Sequence, residues 1–372
     1  MNSDQNGKSS PRRATQLPRR WMWGFLNGWG WNRHRPPTPP DNHEKPHHGE
    51  NGFRNLHPHD HHNFRDFFRW QLRLGKRETR PIPKRELPRR YKPRQVEPCL
   101  ETLHSPDPSI LQITWIGHTT FLIQAEGLNL LTDPIFSKRC SPLGFVGPRR
   151  KAPPGLHPTQ LPPIDAVVIS HDHYDHLDRK SIRMVGNLPR YFLPLGVSRW
   201  FTRRGFTNWE EKDWGDTTEH GPLRLHCLPA QHFSGRTLFD RNHTLWCSWA
   251  LEIGGKRIYF LGDTGYAPYF REIGASHGPF DCAIIPIGAY RPRWYMNGVH
   301  VDTREAVQIH KDVQSRFSIA SHWGTFKLAA EPAHEPPHYL NKVLAEESMP
   351  RDQFRVLDFG ETVQLVPDEA RE

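Results

Sequence analysis

Four short apolar runs in this chain each end on a side chain that can ligate a metal, and that coincidence limits the fold more than any other feature. Ala166-Val167-Val168-Ile169-Ser170 leads into His171, and Leu225-His226-Cys227-Leu228-Pro229-Ala230 leads into Gln231-His232. Ile258-Tyr259-Phe260-Leu261-Gly262 leads into Asp263, and Phe317-Ser318-Ile319-Ala320-Ser321 into His322. Short apolar runs closed by polar loops read as buried strands. Three more, Leu111–Ile116, Phe121–Gln124 and Leu128–Thr132, read as a meander. Helices are expected over 178–185 and 302–313, the second capped by Asp302 or Thr303. Strands alternating with helices, with ligand-type residues at the strand ends, imply a layered α/β domain whose site lies along one sheet edge.

The densest signal is His171-Asp172-His173-Tyr174-Asp175-His176-Leu177-Asp178. In a loop leaving a strand, residues two apart point the same way, so His171 and His173 can converge on one ion. Asp175 and His176 follow one turn later and can reach a second ion nearby. An isolated His-Asp-His would suit a solvated turn as well. Three further ligand-type residues at three further strand ends argue against that. The N-terminal cluster His57-Pro58-His59-Asp60-His61-His62 is as rich in histidine, but it follows no strand and contains proline, so it reads as a solvated linker.

As chemistry, the constellation implies two cations. His171, His173 and His232 would hold one, Asp175, His176 and His322 the other, with Asp263 bridging. Imidazole and carboxylate donors without cysteine suit an open, catalytic zinc site. Two zinc ions about 3.5–4 Å apart lower the pKa of a shared water towards neutral and offset charge on an attacked phosphorus or carbonyl. No nucleophilic serine or cysteine is required, and no G-x-S-x-G motif occurs. Asp175 sits where it could ligate a metal or orient the water, and its catalytic role stays open between the two.

Charge is distributed unevenly. Residues 1–95 hold 21 of the 50 Lys+Arg and 8 of the 40 Asp+Glu, near +13, so the remaining 29 basic and 32 acidic residues sum to about −3. The basic excess therefore belongs to the N-terminal quarter and could face nucleic acid, an anionic membrane or water. Residues 1–62, rich in Pro, Gly, Asn, Arg and His, are expected to be a largely disordered basic extension. Residues 63–98 are expected to form a short basic amphipathic helix and a Pro/Arg-rich connector, and 99–367 the hydrolase domain. In that helix Phe64, Phe67, Phe68 and Leu72 share one face, suited to membrane or substrate contact. The patch Trp21-Met22-Trp23-Gly24-Phe25-Leu26 is broken too soon to span a bilayer, and neither a transmembrane helix nor a signal peptide is expected. Five scattered cysteines without a C-x-x-C pair suit a reducing, intracellular compartment. No RNA-recognition or zinc-finger signature supports nucleic-acid binding, and none is expected.

Beyond the H-x-H-x-D-H block, Thr114-Trp115-Ile116-Gly117-His118-Thr119-Thr120, Leu131-Thr132-Asp133-Pro134-Ile135-Phe136-Ser137, Pro286-Ile287-Gly288-Ala289-Tyr290-Arg291-Pro292-Arg293-Trp294 and His322-Trp323-Gly324-Thr325-Phe326 mark one branch of a larger group. From about Ile113 to Gly360 the chain resembles the N-acylphosphatidylethanolamine-hydrolysing phospholipase D family of the metallo-β-lactamase superfamily. That resemblance implies an αβ/βα sandwich with a two-zinc site built from the same seven residues. It implies hydrolysis of N-acylphosphatidylethanolamine to N-acylethanolamine and phosphatidate. It also implies a role for Asp133 and, less strongly, His118 in orienting ligands from outside the metal shell. His300 is implied as a catalytic residue meeting the substrate phosphate. A phospholipid, a membrane surface and a homodimer are the partners the resemblance suggests, with a peripheral membrane or cytoplasmic location. A soluble lactone or phosphodiester substrate is the alternative for the same metal chemistry.

Overall fold

The computed structural model describes residues 45–58, 66, 69, 81–87, 93–237 and 239–365. Two residue pairs, β1 (His48–Gly49) and β2 (Gly52–Phe53), form a small hairpin ahead of the main body. The first large sheet then takes β3 (Leu111–Gly117), β4 (Thr120–Ala125), β5 (Leu128–Thr132), β6 (Ala166–Val168), β7 (Arg190–Pro194) and β8 (Trp209–Lys212). The second takes β9 (Thr217–His220), β10 (Leu223–Leu228), β11 (Ser248–Ile253), β12 (Lys256–Phe260), β13 (Cys282–Pro286), β14 (Ser318–Ser321) and β15 (Phe354–Arg355). β16 (Thr362–Leu365) returns to the first sheet beside β3.

The two sheets share one plan. β3, β4 and β5 pair antiparallel, and β5 to β8 then run parallel. β9 to β12 pair antiparallel, and β12 to β15 run parallel. Antiparallel neighbours can be joined by short turns, although residues 229–247 separate β10 from β11, whereas parallel neighbours need crossovers, which here are mostly helical. After α1 (Leu100–His104), α2 (Arg179–Val185) links β6 to β7 and α3 (Ser198–Thr202) links β7 to β8. α4 (Tyr269–His277) links β12 to β13, α5 (Arg293–Met296) and α6 (Thr303–Asp312) link β13 to β14, and α7 (Glu335–Glu346) links β14 to β15.

Period-two alternation divides the core into layers. On the first sheet Ile113, Trp115, Phe121, Ile123 and Val168 face the second sheet's Trp249, Leu251, Ile258 and Phe260. Their neighbours Ile116, Leu122, Leu131, Val167 and Ile169 face outward and pack on Ile182 of α2 and Phe201 of α3. Ile273 of α4, Ile309 of α6 and Leu340 of α7 cover the second sheet. The result is the expected αβ/βα sandwich. Asp178 caps α2 by accepting from Ser181 N, and Asp302 caps α6 in a capping box with Glu305.

One part of the N-terminal extension is ordered. Residues 45–58, assigned to the disordered extension over 1–62, are ordered against the domain. His47 and His48 are buried and hydrogen-bond the two carboxylate oxygens of Asp213 at 2.6 and 2.9 Å, and Lys45 reaches the same carboxylate at 2.9 Å. Composition misled because these histidines are buried hydrogen-bond partners of a carboxylate rather than solvated groups. The amphipathic helix side chains Phe64, Phe67, Phe68 and Leu72, and the Trp21–Leu26 patch, lie outside the described residues.

Candidate metal centre

All four ligand-bearing runs end at the same edge of the sandwich. β6 delivers the His171–His176 loop from the first sheet; β10, β12 and β14 deliver His232, Asp263 and His322 from the second. Strands β6, β10 and β12 stop two residues earlier than the apolar runs suggest. At β6 the reason is local: Ser170 N–H leaves the ladder and donates to Asp133 Oδ1 at 2.7 Å.

The side chains converge as two groups with a shared carboxylate. His171 Nε2 lies 2.8 Å from His173 Nδ1, which lies 3.3 Å from His232 Nε2. Asp175 Oδ2 lies 3.5 Å from both His176 Nε2 and His322 Nε2. Asp263 Oδ2 is 3.2 Å from His176 Nε2, 3.1 Å from His322 Nε2 and 3.8 Å from His232 Nε2, so it stands between the groups. Donors bound tetrahedrally at about 2.0–2.1 Å stand about 3.3 Å apart, which these separations approach. His176 Nε2, His322 Nε2 and Asp263 Oδ1 are buried without a hydrogen-bond partner. Buried orphan donors and acceptors are costly, and a shared cation would satisfy all three at once. The donor set therefore fits metal.

Electrostatics agree. Burial holds His171 and His232 well below the ordinary histidine value and His173 down to about 3, so their nitrogens are free to ligate. Burial would lower His176 too, but the carboxylates of Asp263 and Asp175 outweigh it and hold that ring well above its usual range. His322 is likewise carried up to about 9 against burial, chiefly by Asp263. Asp175 and Asp263 stay well below the usual carboxylate range despite burial, because His176 faces both. The two carboxylates draw positive charge into the site, as protons or as metal cations.

The outer hydrogen bonds orient the ligands. Asp133 Oδ2 accepts from His176 Nδ1 at 2.7 Å and from Ser170 Oγ at 2.5 Å, and Ser170 Oγ lies 2.9 Å from His171 Nδ1. His232 Nδ1 donates to Val299 O at 2.8 Å, leaving Nε2 to face the centre. His118 Nε2 meets Asp175 Oδ2 at 3.0 Å, within the group of Asp175, His176 and His322 rather than behind it. His118, Asp133 and His322 all take positive φ (59°, 33° and 59°), a costly conformation for residues with a Cβ and a mark of functional sites. Gly262, before Asp263, has φ 61° and a Cβ there would stand 2.5 Å from Ser170 Cβ, so glycine is required.

His300 lies inside the cluster, its Nδ1 buried and 3.9 Å from Asp263 Oδ2, its ring 5.1 Å from that of His232. Asp172 points elsewhere, accepting from Gly235 N–H at 2.8 Å. Two contributors escaped the sequence reading. Ser170, known only as a strand end, bonds Asp133 and adjoins His171. Asn55, in a proline- and histidine-rich stretch, accepts from His232 N–H at 3.2 Å and donates to His232 O at 2.8 Å. Nothing local in the sequence signals that contact.

The fold and the donor cluster define a metal-dependent hydrolase. A family model described as "Beta-lactamase superfamily domain" matches residues 128–323, just over half of the chain. Among solved structures, a metallo hydrolase from the archaeon Ignicoccus hospitalis superposes with TM-score 0.53 at 22% identity, covering 70% of this chain and all of that one. An isothiocyanate hydrolase from Delia radicum gut bacteria superposes with TM-score 0.57 at 19% identity, covering 69% and 100%. These likenesses show the fold. Sequence narrows the class: N-acyl-phosphatidylethanolamine-hydrolyzing phospholipase D 1 of Caenorhabditis elegans is 41% identical over 263 residues, 67% of this chain and 74% of that protein. The mitochondrial enzyme of the same name from Saccharomyces cerevisiae is 34% identical, but only 55% of its length is matched. An uncharacterized protein of Mycobacterium tuberculosis is 45% identical over 63% of this chain and 64% of its own. The chain belongs to the N-acylphosphatidylethanolamine-hydrolysing phospholipase D-like family of the metallo-β-lactamase superfamily.

Proposed function

We propose that this protein is a two-zinc phosphodiesterase of the phospholipase D type, hydrolysing N-acylphosphatidylethanolamine to N-acylethanolamine and phosphatidate. The observation that carries the reading is Asp263 Oδ2 standing within 3.1–3.8 Å of ligand nitrogens from both groups. The 41% identity to the worm phospholipase D supports the choice of substrate.

Zinc, when bound, would supply an acidified water and positive charge for the phosphoryl oxygens. His171, His173 and His232 would hold one ion, Asp175, His176 and His322 the other, with Asp263 between. The residues do the rest. Asp175 Oδ2, 3.5 Å from both His176 Nε2 and His322 Nε2, would accept a proton from the attacking water. His118, inside the same group, holds that oxygen through Nε2 at 3.0 Å. His300, held down to about 4 by burial, is neutral near pH 7 and can donate one N–H to a phosphoryl oxygen. Attack on phosphorus breaks its bond to the ethanolamine oxygen, which leaves with a proton. Asp133 and Ser170 keep His176 and His171 aimed throughout.

The same reading makes the protein peripheral to a membrane, where its substrate resides. No described helix is long and apolar enough to cross one. The purified chain, incubated with vesicles containing N-acylphosphatidylethanolamine, should release N-acylethanolamine and phosphatidate, detected by mass spectrometry. Turnover of soluble phosphodiesters or lactones with no lipid product would overturn the substrate and favour the alternative of a soluble one.

A further inference from the structure

A cavity of about 950 Å³ contains none of the seven ligands. It opens beside them: Tyr174 and Asp178, from the loop that carries His171 to His176, form part of its wall. Ten lysines and arginines line it, drawn from 138–151, 179–183, 204 and 236, against a single carboxylate. That carboxylate, Asp178, is committed to Ser137 Oγ at 2.6 Å and to Ser181 N and Oγ as a helix cap. Among the described residues none of the ten cations has a carboxylate within 4.0 Å, although elsewhere the surface pairs its charges. Around Arg304 and Lys311, for example, Glu347 and Glu346 answer each cation.

Arg150, Arg204 and Arg236 are held rather than free to swing away. Arg236 donates to the carbonyls of Asp172 and Leu177 and lies over Tyr174 at 4.0 Å. Arg204 lies over Trp200 at 4.2 Å and donates to its carbonyl at 2.8 Å. Burial, and then the charges of Arg236, Arg179 and Arg183, hold the Arg204 guanidinium down to about 10. Arg150 has Nη1 buried with no partner. Fixed, crowded and unpaired positive charge is a receptor for anions.

The rim distinguishes a lipid surface from a soluble anion. Met184 lines the cavity and is 61% exposed, and Phe145, in the loop that gives Pro142 and Gly144 to the wall, is 77% exposed. Phe239, three residues beyond Arg236, is 82% exposed. A basin of cations bordered by projecting apolar side chains suits anionic headgroups with acyl chains beneath them.

We infer that this basin docks the protein on an anionic phospholipid surface, its cations taking headgroup phosphates while Phe145 and Met184 enter the interface. The inference rests on the proposed lipid substrate, and because binding is read without turnover the two can fail separately. The test is sedimentation of the full chain with vesicles of phosphatidylcholine alone or with phosphatidate added, together with amide exchange. Binding should require the anionic lipid and slow exchange over 138–151 and 179–188. The triple variant Arg179→Glu, Lys180→Glu, Arg183→Glu, all exposed positions on α2, should lose about tenfold or more in vesicle binding with its melting temperature kept. Phe145→Ser should weaken binding at high salt more than at low salt. Unchanged binding in the triple variant, or protection confined to 1–98, would overturn the inference. So would equal protection of the basin by inorganic phosphate without vesicles, which would make it a soluble-anion site.

Discussion

One carboxylate oxygen, Asp263 Oδ2, connects the two halves of the centre, and the nearby Asp172 provides its control. Both are buried aspartates next to ligand histidines in space or sequence, yet their surroundings differ. Asp263 faces His176, His322 and His232; Asp172 faces the Gly235 amide, and burial pushes it up to about 6. Asp263→Asn should therefore strip metal and cut activity on the order of 100-fold or more, since in the proposed centre one donor would serve both ions. Asp172→Asn keeps an oxygen that can accept from Gly235, so the cost should be about 1 kcal/mol, roughly fivefold at most. Metal content and kcat/KM of the two variants check this, and equal losses would contradict the bridging role. At this scale the sequence was readable wherever a ligand followed its strand directly. Asn55 was not, because it reaches His232 across 177 residues and only the folded chain brings them together.

At the scale of elements, strand and helix positions were largely legible because they depend on local pattern. The meander is found at Leu111–Gly117, Thr120–Ala125 and Leu128–Thr132, and α2 and α6 begin one residue inside their expected spans, Asp302 rather than Thr303 capping the second. Partition between sheets was not legible, since nothing near β6 or β10 says that they belong to opposite layers. Nor was the docking of 45–58, whose anchor is an ion-pair cluster. Burial would raise Asp213, but hydrogen bonds and charge from His47 and Lys45 outweigh it and hold the carboxyl well below its usual value. A carboxylate with a depressed folded pKa stabilises the native state above its unfolded value of 3.8, and that contribution disappears as pH falls through the folded value. Amide protection of the 45–55 segment should hold at neutral pH and begin to weaken below about pH 4. Asp213→Asn should weaken it at neutral pH as well. Protection in that variant equal to wild type would show that the ion pairs do not hold the segment.

The whole molecule divides into a basic N-terminal quarter and a near-neutral catalytic body, but the structure places a second concentration of positive charge on that body. The count of about −3 over residues 96–372 concealed it, because charges scattered through 138–151, 179–183, 204 and 236 meet only when the sandwich closes. The candidate metal-binding cluster, by contrast, was legible in the sequence, since its residues follow strands that end at one edge. In the proposed function one chain would hold two ions through a shared carboxylate. Elemental analysis of the purified protein, stripped with chelator and then reloaded with zinc, tests it most directly. About two zinc ions per chain are expected in the wild type, with lipid hydrolysis lost on stripping and regained on reloading. Full activity at one ion per chain, or activity indifferent to chelation, would contradict it.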